Sequence, residues 1–239
     1  MRRAAFAALA LLSAVPARAY RPFVSTDASV AAPKTVELEL GYFGLARTRG
    51  QDGYSTPQAV INYGARERLE VDGEFAVQHP QGGRSQVVDA ALNLKGVLRE
   101  GVLQDKAGPS VAAEGGALLP ESGTGNPKLG YEQTFILSHR VLNAFLHWNV
   151  GGGWERSASL PFANWGLIAE VPVWRALRAV GEVNGASVRG EVPDNSGLIG
   201  AIWDTGWKDV ALDAGYRRGL SAAAADWAVT AGFTVSFRP

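Results

Sequence analysis

From Trp227 to Phe237 the chain alternates between two kinds of side chain. Trp227, Val229, Ala231, Phe233, Val235 and Phe237 fall on one face, and Ala228, Thr230, Gly232, Thr234 and Ser236 on the other. A period of two specifies a β-strand with one apolar and one polar face. The same alternation returns along most of the chain. Val36, Leu38, Leu40 and Tyr42 oppose Glu37, Glu39 and Gly41. Leu69, Val71, Gly73, Phe75 and Val77 oppose Glu70, Asp72, Glu74 and Gln78. Ala90, Leu92 and Leu94 oppose Asp89, Asn93 and Lys95. With further segments at 58–64, 110–119, 131–138, 145–155, 165–171, 177–184, 198–204 and 209–217, the pattern predicts about twelve strands, within a range of about ten to fourteen, each of ~9–11 residues.

The start of the chain is different. Met1-Arg2-Arg3 is positive, Ala4 to Val15 is apolar, and Ala17-Arg18-Ala19 is a small-x-small site. This is the pattern of a cleaved signal peptide over 1–19. Residues 20–34 have no clear period and are expected to form an N-terminal periplasmic segment, with 35–239 forming the strand domain. No later apolar run reaches the ~18–20 residues of a membrane-crossing helix. A membrane form must therefore be a closed barrel, the other structure that satisfies its own backbone. The chain has no Cys, which excludes disulfides and thiolate metal sites. Its 23 basic and 23 acidic residues balance, so nothing points to nucleic acid.

Connections alternate in character. Those at 50–57, 79–86, 120–130, 156–161, 188–196 and 218–225 are long and rich in turn formers, and the others are mostly tight. Short turns at one end and longer loops at the other describe an outer-membrane barrel. The stretch 99–109 breaks the rule, because it is long where a tight turn is expected. Trp154, Trp165, Tyr216 and Trp227 are expected near the outer rim, and Trp148, Trp174, Trp203, Trp207 and Phe237 near the periplasmic rim. Two aromatic girdles favour a membrane barrel over the alternative, a secreted or periplasmic soluble β domain.

Two resemblances support the same reading. The near-terminal Phe237 resembles the insertion signal of bacterial outer-membrane barrels. Arg21-Pro22-Phe23-Val24-Ser25-Thr26-Asp27-Ala28 followed by Val36-Glu37-Leu38-Glu39 resembles the start of the outer-membrane family of the MetA pathway of phenol degradation. Echoes at Leu92-Asn93-Leu94-Lys95, His147-Trp148-Asn149-Val150-Gly151-Gly152 and Val180-Gly181-Glu182-Val183 extend the resemblance over most of the chain. It implies a porin-like barrel in the outer membrane of a Gram-negative cell. It also implies transport of a small solute, aromatic or otherwise hydrophobic, with membrane lipid and the barrel-assembly machinery as partners. A closed structural or ligand-binding barrel without transport is the alternative.

The residues expected to line the lumen are Glu37, Glu39, Glu70, Asp72, Glu74, Asp89, Asn93, Lys95, Glu114, His147, Asn149, Glu170, Arg178, Glu182, Asp213 and Arg217, with Arg68 as a further base. Carboxylates outnumber bases in this set, so such a pore should prefer cations or neutral solutes. Glu70, Asp72 and Glu74 share a face, but i to i+2 spacing of ~6–7 Å is too wide for one ion. His79, His139 and His147 are not spaced as metal ligands, and no G-x-S-x-G elbow is present. No catalytic residue, metal or cofactor is expected. Symmetric hairpins would set Glu70 opposite Lys95 and Glu170 opposite Arg178, each a charge pair within ~4.5–5.5 Å between Cβ atoms.

Overall fold

The structure is a computed structural model that describes residues 21–121, 128–156, 159–207 and 209–239, with the side chain of Tyr42 left aside. The predicted leader, 1–19, lies outside these residues. Twelve strands follow in order: β1 (Val36–Thr48), β2 (Gln51–Arg66), β3 (Leu69–Pro80), β4 (Gln86–Arg99), β5 (Ser110–Leu118), β6 (Gly130–Val141), β7 (Ala144–Trp154), β8 (Pro161–Trp174), β9 (Leu177–Val188), β10 (Asp194–Asp204), β11 (Val210–Gly219) and β12 (Trp227–Phe237). Each pairs antiparallel with its neighbour in sequence, and β1 pairs with β12, so the sheet closes into a barrel. The predicted all-β fold, a single antiparallel barrel of about twelve strands, is the fold observed.

Alternation sorts the side chains as a membrane barrel requires. Ile61, Leu92, Leu94, Phe135, Val150 and Ile199 are exposed on the outside. Glu39, Glu70, Lys95, His147 and Thr234 are almost wholly buried inside. A soluble protein would have the reverse arrangement, since water and not lipid would meet the outer face. Exposed Trp154, Trp165 and Tyr216 stand towards one end of the barrel, the mouth. Trp174, Trp203, Trp207 and Phe237 stand towards the other, the base. Trp148 departs from the expected rim position. It pairs with Leu137 and Leu167, well inside β7.

Several boundaries differ from the sequence reading. The first hairpin turns at Arg49 and Gly50, both with positive φ (51° and 78°), and Thr48 pairs directly with Gln51. Positive φ at both central residues defines the turn that suits a right-twisted hairpin. The expected loop 50–57 is therefore strand from Gln51 onward. Asp52 looks like a turn residue in sequence, yet here it accepts from Arg47 Nε and Nη2 at 2.6 and 2.8 Å. Pro57 falls at the register shift between Ser55 and Gln58, where the ladder needs no N–H. Glu70 stands opposite Lys95 as predicted. Glu170 stands opposite Val180, and Arg178 opposite Pro172, because the turn is only 175–176 and the register shifts between Pro172 and Trp174. The two residues still share a face, and Arg178 Nη1 reaches Glu170 Oε2 at 2.6 Å. Arg68 is exposed in the β2–β3 turn, outside the lumen, and donates to Glu100. Glu100 also accepts from Lys106, and this bond, ahead of the nearby Arg68 charge, holds its carboxyl below the usual range.

Candidate functional site

The inner wall carries the polar residues that alternation assigns to it. Glu37, Glu39, Glu70, Asp72, Lys95, His147, Asn149, Glu170, Glu182 and Asp213 are buried within the barrel. Glu74, Asp89, Asn93, Glu114 and Arg217 line its main cavity. Arg178 is held between Glu170 and Asp204 at 2.6 and 3.3 Å.

The lumen is not an open channel. The sequence reading set 20–34 on the periplasmic side, ahead of the barrel, but residues 21–31 run inside it, and only 32–34 are exposed at its base. Lys34 N–H donates to Gly64 O and Gly64 N–H to Thr35 O, which ties the segment to β2 at the base. Ala31 N–H donates to Glu70. Ala28 N–H donates to Ser138 Oγ at 2.9 Å, and Ala28 O accepts from Gln104 Nε2 at 3.1 Å. Thr26 exchanges two bonds with the Asn149 amide, at 3.2 and 2.8 Å, and its hydroxyl accepts from Lys95 at 2.9 Å. Val24 and Ser25 N–H groups donate to the Glu182 carboxylate at 3.2 and 2.8 Å. Arg21 N–H donates to Glu39 Oε2 at 3.2 Å. The segment has no ladder of its own, so the wall carboxylates and amides take up its backbone donors. Several of these are charge-assisted bonds, roughly twice as strong as neutral ones.

Missing side chains on the wall make room for it. A Cβ at Gly41 would lie 2.6 Å from Arg21 Nη1, and one at Gly232 would lie 2.5 Å from Arg21 Nε. One at Gly166 would collide with Ser25 Oγ, and one at Gly64 with the carbonyl oxygens of Ala31 and Ala32.

The long base connection 100–109 closes the path from below. Its 3-10 helix, Val102–Gln104, turns Leu103 inward. Leu103, Ala112 and Ile136 pack with Ala28, which is 0% exposed. Substituting Ala28 with leucine should therefore overpack this contact and weaken seating by about 1–3 kcal/mol. Loss of protection at the segment's amides in hydrogen exchange would report it; unchanged protection would mean that the contact is loose.

Above the segment lies a cavity of about 820 Å³, open towards the mouth and floored by Arg21 to Thr26. Eight carboxylates and four bases line it. Each base is already engaged: Arg217 with Glu182, Lys95 near Glu114 at 3.8 Å, Arg156 with Glu121 at 3.2 Å, and Arg21 near Asp213 at 3.6 Å. Glu132 accepts from Asn164 at 2.7 Å. Ser138, His147 and Glu170 stand in a row in which Ser138 Oγ is 2.8 Å from His147 Nδ1, and His147 Nε2 lies 3.3 Å from Glu170 without a hydrogen bond to it. The order is that of a nucleophile, base and acid. However, Ser138 is completely buried, and its oxygen accepts the Ala28 N–H, so Ser138 anchors the segment.

Sequence reasoning missed Arg21, Gln58, Asn62, Gln104, Ser138 and Thr230 as site residues. Thr230 lies on the polar face of β12 and Ser138 ends the predicted strand 131–138, but nothing in either residue type signals a bound chain segment.

No family model and no curated protein matches the chain. Among solved structures, the NanC porin is similar at 8% identity, with a TM-score of 0.59 over 84% of this chain and 98% of that one. OmpF of Salmonella typhi in complex with daunomycin is 9% identical over 85% of this chain and 97% of its own, with a TM-score of 0.46. A loop-deleted OmpT from Vibrio cholerae is 9% identical over 85% and 98%, with a TM-score of 0.45. The last two scores are too low to carry an argument. The first shows a shared barrel fold.

Proposed function

We propose that this chain is an outer-membrane β-barrel that passes a small solute through its lumen, and that residues 21–34 hold the lumen closed in the conformation described. The apolar outer face, the two aromatic rims, the porin-like fold and the leader pattern of 1–19 support the location. Lipid and the barrel-assembly machinery are the partners this location brings. The single observation that carries the functional reading is the chain of hydrogen bonds from Lys34 to Arg21 across the lumen, beneath a cavity that opens to the mouth. A purely structural barrel could fill itself with wall side chains. This one instead leaves a large polar cavity on one side and fills the other with a separate segment.

The excess of carboxylates in the cavity favours a cationic or neutral solute. The resemblance to the MetA-pathway family favours an aromatic one, and Phe162 offers a ring at the cavity wall. Planar-bilayer recording tests the reading. Protein with 21–30 deleted should show discrete conductance steps, with an open fraction more than about tenfold above that of the full chain. Such a change corresponds to about 1.4 kcal/mol or more of lost closure. If the deletion variant assembles in lipid and passes no more current than the full chain, the barrel is a closed structural or ligand-binding one.

A further inference from the structure

Arg21 occupies a slot with the features of a guanidinium site. Its Nη2 donates to Thr230 Oγ1 at 2.6 Å and its Nη1 to Gln58 Oε1 at 3.4 Å. Gly41 and Gly232 flank it, and the Asp213 carboxylate, 6% exposed, stands 3.6 Å from Nε. That last contact is longer than the ~2.7–2.9 Å of a charge-assisted hydrogen bond. Neither Asp213 oxygen, nor Arg21 Nε, has a hydrogen-bond partner among the described residues. Tethering explains the misfit. Glu39 holds the Arg21 backbone N–H, and Pro22 lies against the space at Gly215. With its backbone fixed there, and its Nη atoms held by Gln58 and Thr230, the side chain stops short of Asp213. A free guanidinium has no such restraint and can turn two parallel N–H bonds onto one carboxylate.

We propose that this slot is a binding site for a guanidinium-bearing solute, which descends the cavity, takes the place of Arg21 on Asp213, Thr230 and Gln58, and releases the segment. Arg21 lines the cavity floor, so the site is reached without crossing the segment. The acidic wall above draws the incoming cation down the cavity, and because both groups carry the same charge, the field at the slot itself does not discriminate between them. An alkylammonium has the charge but not the planar fork, and binds less well. The proposal rests on the reading of the lumen as a solute path, and it is tested by equilibrium binding, which needs no current.

The probe is methylguanidinium, titrated calorimetrically into refolded Arg21→Ala protein in detergent at constant ionic strength. Saturable binding is expected, at least about tenfold tighter than to the unsubstituted protein, because there Arg21 competes and the vacant fraction is small. Methylammonium should bind Arg21→Ala at least about tenfold more weakly. Adding Asp213→Asn should abolish binding. Should that double variant fail to refold, Gly41→Ala in the Arg21→Ala background serves instead, since its Cβ intrudes only on the slot and the Gln58 side chain, and it should weaken binding. Absent binding, equal binding of methylammonium, or binding that survives Asp213→Asn or is unaffected by Gly41→Ala each overturns the proposal. Specific binding to a variant that never conducts would uphold the slot and refute the channel. Conduction without binding would do the opposite.

Discussion

A refolded Glu182→Ala variant should expose Ala28 roughly 30- to 1,000-fold more often than its parent. Glu182 is 4% exposed and accepts the N–H groups of Val24 and Ser25. Removing it leaves two backbone donors without their acceptor whenever the segment is seated, at about 1–2 kcal/mol each, the lower part of the range for an unsatisfied donor because Val24 is exposed to the cavity. When the segment is unseated, water satisfies them. The seating equilibrium therefore loses about 2–4 kcal/mol, and each 1.36 kcal/mol is tenfold. The Arg217–Glu182 pair is lost in both states and mostly cancels from this difference, although it lowers barrel stability. The chain contains no Cys, so Ala28→Cys supplies a unique thiol at a completely buried site. Its labelling rate with a small thiol reagent counts the openings. Heat-modifiable gel mobility checks that the barrel persists. Equal labelling rates with and without Glu182 would mean that the segment is held elsewhere, or does not leave as a unit.

The second large effect lies on the opposite face of the sheet. Leu92→Arg should destabilise the folded barrel by about 2–4 kcal/mol in lipid, and Asn93→Arg by far less. Leu92 is 54% exposed on the outside, in the middle of β4 and opposite Gly73. The next residue, Asn93, points inward, where its amide donates to Asp72 Oδ1 at 2.9 Å. A guanidinium there would have Asp72 and the acidic cavity wall as partners. Urea unfolding of both variants in vesicles measures the contrast. Similar losses would remove the assignment of the two faces.

These two residues also show what the sequence made legible. Alternation distinguishes Leu92 from Asn93 because a barrel strand has only two faces, each with its own solvent. It likewise put Glu70 opposite Lys95. Position along a strand was harder to read. Pro172 disturbs the register near its turn, so Arg178 meets Glu170 diagonally. Arg49 and Gly50 form the first hairpin turn, while Asp52-Gly53, the stronger turn signal, is strand. The bound segment was illegible for a different reason. Residues 21–34 follow no period, and their hydrogen-bond partners are scattered over eight wall strands, one or two positions on each. Glu182 was expected to line the lumen, and nothing in the residue type reveals that it receives backbone N–H groups. The long connection at 99–109 was the one irregularity visible in advance. It is long because it carries Leu103 and Gln104 to Ala28.

The attachment of the segment to β1 restricts the order of assembly. Thr35 leads straight into Val36, and Val36 pairs with Phe237 at the seam where the barrel closes. That pairing spans nearly the whole chain, so its loop-closure entropy makes it a late event. Arg21 already bridges both sides of the seam, with Glu39 and Gln58 on one and Thr230 on the other. Once β1 and β12 have zipped, the segment can reach these partners only by threading through an end of a finished cylinder. If it lies against the concave surface of the still-open sheet, no threading is needed, and its bonds to both edges draw the edges together. The segment can then act as a template for the final strand pairing.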